Sequence, residues 1–206
     1  MTPDEHRRPL SDLLIDICDD ADPVVTVGEI VHRLGRRSFG ALLFIFAAPA
    51  AVPLPPGSST FLAAPLLLLG PQIAIGVHGP WLPRFIDDRR LERVKLAGAL
   101  RKLAPILRRI ERVSGPRLAF MFGPVGDRLI GVMVTLLAMV LLLPIFLGNM
   151  APGVAIAAFG LALIQRDGVL ALIGYTVTAV SIGLLVIGWR VAAAFFEHLA
   201  RLAGLV

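Results

Sequence analysis

No aspartate, glutamate, lysine or arginine interrupts residues 38–83, 129–165 or 168–189. These blocks of 46, 37 and 22 residues make up about half of the 206-residue chain. A bilayer core ~30 Å thick needs about 20 apolar residues per helical span, whereas a soluble core needs no charge-free run of this length. A mean hydropathy of +0.80 agrees with the first alternative. The runs do not alternate in polarity, which argues against a membrane β-barrel. The chain therefore reads as an all-α integral membrane protein.

One pattern occurs twice in the first two blocks. Residues 35–57 (GRRSFGALLFIFAAPAAVPLPPG) and 126–148 (GDRLIGVMVTLLAMVLLLPIFLG) align without a gap at an offset of 91. They match at Gly35/Gly126, Arg37/Arg128, Gly40/Gly131, Ala47/Ala138, Pro53/Pro144 and Gly57/Gly148. Each copy enters through an arginine, runs apolar, breaks at a proline and a glycine, and is followed by another apolar stretch. Shared composition explains alanine on alanine, but not the aligned Gly-x-Arg-x-x-Gly and Pro-x-x-x-Gly. The expectation is two tandem helix-break-helix repeats, re-entrant in type, an arrangement common in membrane transport folds.

Around these repeats the chain divides into an acidic N-terminal segment (1–22), a single membrane domain (23–190) and a C-terminal amphipathic helix (191–206). Within the membrane domain lie repeat 1 (23–83), a basic amphipathic linker helix (84–117) and repeat 2 (118–190). Residues 1–22 are too polar for a cleavable signal peptide. Thr26 with Glu29 has capping-box spacing and predicts a helix that ends at Gly35. Pro49, Pro53, Pro55 and Pro56 cannot continue a regular helix, because proline removes a donor and clashes with the preceding turn. The tip at residues 53–60 is then either a re-entrant turn inside the bilayer or a tight loop at the far surface. Pro65 and Gly70-Pro71 predict further breaks in the second arm. Trp81 sits where apolar sequence meets charge, as an interfacial aromatic does. Residues 169–189 form the one clean span.

Eleven arginines and lysines from Arg84 to Arg117, with Leu91, Val94, Leu100, Leu103, Leu107 and Ile110 among them, predict a helix lying on anionic lipid headgroups. The net charge of +5 thus marks orientation rather than nucleic-acid binding. The N-terminal helix end, the linker and Arg128 are expected to be cytoplasmic, on the inner membrane. Both hairpins would then enter and leave on that side. Gly174, Ser181 and Gly188 are small enough for close helix contact, which permits a homodimer.

The groups Arg37/Gly40, Pro-Leu-Pro-Pro-Gly-Ser (53–58), Pro-Trp-Leu-Pro (80–83), Pro116-Arg117, Pro144 with Asn149 and Pro152, and Asp167-Gly168 together resemble the ExoD family of exopolysaccharide-synthesis membrane proteins. The resemblance covers residues 24–190. It implies a bacterial inner-membrane protein tied to exopolysaccharide production, and it supplies no catalytic residue.

The residues point to no enzyme. Nucleotide-loop, hydrolase and zinc-protease signatures are missing, no cofactor is implied, and His6, His32, His78 and His198 lack metal-ligand spacing. Asp87-Asp88 beside Arg89-Arg90 reads as an exposed self-paired cluster. The expected substrate-binding groups lie at the breaks: Pro53, Gly57, Ser58, Ser59, Thr60, Pro144 and Asn149. Unwound backbone and half-helix N-termini there favour an anion. Arg37 and Arg128 either guide a phosphate headgroup to that site or snorkel at helix ends; Arg117 is a weaker candidate. Two functions follow: translocation of an anionic substrate or lipid carrier such as polyprenyl phosphate, or a non-transporting scaffold of the exopolysaccharide machinery.

Overall fold

The computed structural model describes residues 24–35, 37–52, 58–88, 90–92, 97, 118–143 and 148–202. The acidic segment 1–22, most of the linker from 93 onward with Arg117, the break residues Pro53, Gly57 and Pro144, and residues 203–206 lie outside this set. In chain order the elements are β1 (Val24–Thr26), α1 (Val27–Leu34), α2 (Arg37–Ala50), α3 (Ser58–Ile75), α4 (Arg84–Asp87), β2 (Arg90–Glu92), a 3-10 turn (Ala119–Met121), α5 (Pro124–Leu142), α6 (Met150–Gln165) and α7 (Gly168–Leu202). Among the described residues the regular structure is helical apart from the β1–β2 ribbon.

The arms pair crosswise. α2 packs along α6 and α3 along α5, while contact between the arms of one hairpin is thin; α7 lies on α6. Glycines make the crossings close. A Cβ on Gly40 would stand 2.5 Å from the Gly160 carbonyl oxygen, and one on Gly70 2.5 Å from Thr135 Oγ1. Small residues of this kind let helix backbones approach where lipid offers no hydrophobic drive for association. Both crossings are antiparallel: Gly40 meets Gly160 and Ile164 while Ala50 meets Gly153, and Gly131 meets Ala74 while Leu142 meets Thr60. Both connections therefore lie at one end of the bundle. The mouths lie together at the other, since only two residues separate α7 from α6 and α7 contacts both α5 and the 3-10 turn that precedes it.

The core is one cluster shared by the four arms, in which Leu43, Ala47, Leu66, Val134, Ala138, Leu141, Ile156 and Phe159 are fully buried. Tyr175 meets Phe159 edge-on at 5.0 Å. Outward-facing Ile45, Leu136, Met139, Val180, Leu184 and Ile187 are exposed, a surface suited to lipid. Among the described residues two helices are long and apolar enough to cross a membrane, Pro124–Leu142 and Gly168–Arg190. The sequence made only the second unambiguous.

The helix before the first arm is as expected. Thr26 Oγ1 accepts from the Glu29 amide at 3.2 Å, and Gly35 ends α1 at φ 54°. Four expectations are corrected. α3 runs through Pro65 and Pro71. Its buried face, Ala63, Leu66, Leu69 and Ile73, is held along α5, and that packing outweighs the local proline penalty. The linker is not one helix from residue 84, since α4 ends at Asp87 and Arg90–Glu92 pairs antiparallel with Val24–Thr26. The helix from 191 is no separate element: α7 continues to Leu202, because residues 190–194 contain nothing that stops a helix. Asp87 is half-buried rather than exposed: its carboxylate lies against Gly28 in the first turn of α1, where a helix N-terminus favours an anion, while Asp88 and Arg90 are exposed and Arg89 lies outside the described residues.

Candidate functional site

The two breaks meet. Ser59, in the first turn of α3, and Asn149, at the start of α6, are 7% and 9% exposed. Asn149 Nδ2 donates to Ser59 Oγ at 2.7 Å and to the Leu143 carbonyl at 3.0 Å. Thr60 Oγ1 adds a longer bond to the Leu142 carbonyl at 3.4 Å. Asn149 has helical backbone angles and its side chain does not cap its own helix. It is turned instead toward the other hairpin. Its Oδ1 is buried and meets no donor among the described residues. A buried unsatisfied acceptor costs about 1–3 kcal/mol, so a native structure has a reason to keep one.

Backbone polarity adds to this joint. α3 and α6 both begin here, and the first four N–H groups of a helix lack an intrahelical carbonyl. Each N-terminus carries roughly half a positive charge. One turn further in, Ala63 is fully buried and Gly153 presses on the Ala50 backbone, so the joint is closed off from the mouths. It is a polar spot at the tip end, where two helices begin beside one bare acceptor.

Of the sequence-derived site residues, the structure brings Ser59, Thr60 and Asn149 together, with Ser58 opening α3 beside them. Arg37 and Arg128 stand at the opposite end. Between Arg128 and Leu142 the α5 rise of 1.5 Å per residue amounts to about 20 Å. Arg37 is half-buried at the start of α2. Arg128 is exposed, and its Nε would be 3.3 Å from a Cβ on Gly76, which ends α3 at φ +87°. A guanidinium there faces the negative end of the α3 dipole. The two arginines are thus mouth residues, not part of the tip site.

Sequence reasoning missed the buried Asp127 at the mouth and, at the joint, the carbonyls of Leu142 and Leu143 as partners. A carboxylate between Gly126 and Arg128 was a visible signal; backbone acceptors leave none. The small-residue face of α7 is partly used within the chain: Gly174 packs on the Phe159 ring and Ser181 is buried. Gly188 faces open space. No group of three or more potential metal ligands occurs among the described residues.

An apolar-surfaced helical bundle and two helices long and apolar enough to span a bilayer are consistent with an all-α membrane protein. Residues 10–187 match the family model described as "Exopolysaccharide synthesis, ExoD". The chain belongs to the ExoD family. It is 32% identical to protein ExoD of Rhizobium meliloti over 197 residues, covering 92% of this chain and 82% of that one. It is 28% identical to an uncharacterised protein of Synechocystis over 171 residues, covering 82% and 80%. No solved structure matches it.

Proposed function

We propose that this chain serves exopolysaccharide synthesis by translocating an anionic amphiphile, a lipid carrier such as polyprenyl phosphate, at the junction of its two hairpins, without catalysing a reaction. The supporting observation is the tip joint: two helix N-termini converge on the Ser59–Asn149 pair, and Asn149 Oδ1 is left without a donor. Interrupted helices whose positive ends point into such a spot are how transporters hold anions. On this reading the hairpins are copies of one unit sitting in the inner membrane with their mouths cytoplasmic. In support, Gly40 and Gly131, at the offset of 91, each sit at a helix crossing. Ser59 and Asn149, bonded to each other, are 90 residues apart, as are Gly70 and Gly160 at the two crossings. Arg37 and Arg128 would collect headgroups at the mouths, with the basic linker on the lipid surface beside them.

The test is flux of a short-chain polyprenyl phosphate in proteoliposomes. Arg37→Ala combined with Arg128→Ala should abolish it while helical content is retained. Wild-type flux in that double variant refutes the role given to the arginines. No flux in the wild-type protein removes translocation and leaves the scaffold. In that case co-purification with a synthase, lost on reversing Arg101, Lys102, Arg108 and Arg109, is the expected result.

A further inference from the structure

Asn149 restricts what the joint can hold. The Leu143 carbonyl can only accept, so the amide nitrogen must face it and Oδ1 must face away. Nδ2 spends its second hydrogen on Ser59 Oγ, and a hydroxyl that accepts one bond still has its own O–H to donate. Asn149 is 9% exposed, so bulk water does not satisfy Oδ1. Only a donor can.

Everything else at the joint wants the opposite. The Ser59 hydroxyl and the first-turn amides of α3 and α6 are donors at the positive ends of two dipoles. A fully ionised anion suits these donors but sets negative oxygen against Oδ1. An alcohol or a water suits Oδ1 but leaves the dipoles without a charge. A group bearing negative oxygens and one O–H suits both.

We infer that the joint is a site for the hydrogen-phosphate monoanion: the P–OH donates to Asn149 Oδ1 while the remaining oxygens accept from Ser59 and from the α3 and α6 amides. This rests on the translocation reading and narrows it to phosphate carrying a free P–OH. A phosphodiester lacks that proton donor. Above the second ionisation of a phosphate monoester, near pH 6, the monoanion fraction falls about tenfold per pH unit.

The experiment uses full-length wild-type protein in proteoliposomes with equal pH on both sides. Three probes are compared: a short-chain polyprenyl phosphate, its methyl phosphodiester with the same tail, and radiolabelled inorganic phosphate. The expected result is flux of the monoester at least tenfold above that of the diester, falling as pH rises from 6 to 8. Equal flux of both lipids overturns the inference and leaves translocation standing. Flux of inorganic phosphate alone supports the hydrogen-phosphate site and replaces the lipid by the free ion. If none of the probes moves, translocation fails and the inference falls with it.

Discussion

Gly40→Ala tests the crossed packing most directly. The added methyl would lie 2.5 Å from the Gly160 carbonyl oxygen, 2.8 Å from Ile164 Cγ1 and 2.9 Å from the Ile164 amide nitrogen. Two of the three are backbone atoms, which no rotamer change can move. α2 must therefore back away from α6, and a gap of about 0.5–1 Å forfeits a quarter to a half of each dispersion contact across it. Overpacking of this kind costs about 1–3 kcal/mol. Alanine recovers about 1 kcal/mol of helix propensity, so the net loss is up to about 2 kcal/mol. Gly188→Ala is the matched control: a Cβ there meets no atom within 4 Å, so only the propensity gain applies. The same chemical change is then expected to act with opposite sign at the two sites. Helicity followed by circular dichroism during SDS titration in mild detergent reads both. Gly131→Ala should behave like Gly40→Ala, since the Ala74 and Ile73 backbone occupies its Cβ position. If Gly40→Ala stabilises as much as Gly188→Ala, the backbones do not approach and the crossed pairing is wrong.

Two further substitutions probe the surface and the mouth. Val180 is 54% exposed near the middle of the α7 span, so Val180→Asp should cost about 2.5–3.5 kcal/mol of membrane insertion. A glycosylation-based insertion assay measures this, and an effect below about 0.5 kcal/mol would indicate a water-exposed face. Gln72 holds the Trp81 backbone at both ends, accepting from its amide at 2.6 Å and donating to its carbonyl at 3.1 Å. Removing the two bonds with Gln72→Leu should loosen the chain after α3 by about 1–3 kcal/mol. Faster tryptic cleavage at Arg84 is the expected outcome, and an unchanged rate would show that something else holds Trp81.

What could be read from the residues follows from which physics is local. Charge-free blocks report membrane depth without reference to any other segment, so the apolar arms and the last span were legible. The Thr26 cap and the Gly35 stop depend on one helical turn and were legible too. Asn149 and Ser59 stood out because each is a polar residue at a break in apolar sequence. Their hydrogen bond was not legible, because it joins residues 90 positions apart. Pro65 and Pro71 misled for the same reason in reverse: the local rule says break, and burial against α5 overrides it. Arg90–Glu92 carried the charge of a surface helix, and only the distant β-branched run Val24–Thr26 makes it a strand.

The crossed pairing also decides where the bundle can part. Each tightly packed pair, α2 with α6 and α3 with α5, takes one arm from each hairpin, while the arms of one hairpin touch little. The seam between the pairs is therefore the weakest boundary among the four arms. Ser59 belongs to one pair and Asn149 to the other, so their hydrogen bond crosses that seam, whereas Thr60 and Leu142 bond within a single pair. Rocking one pair against the other would break the Ser59–Asn149 contact and widen the joint without disturbing the glycine crossings, which lie inside the pairs. Shear between well-packed units, with small changes at the seam, is how many helical proteins change shape. The polar joint thus sits at the place where opening disrupts the least packing.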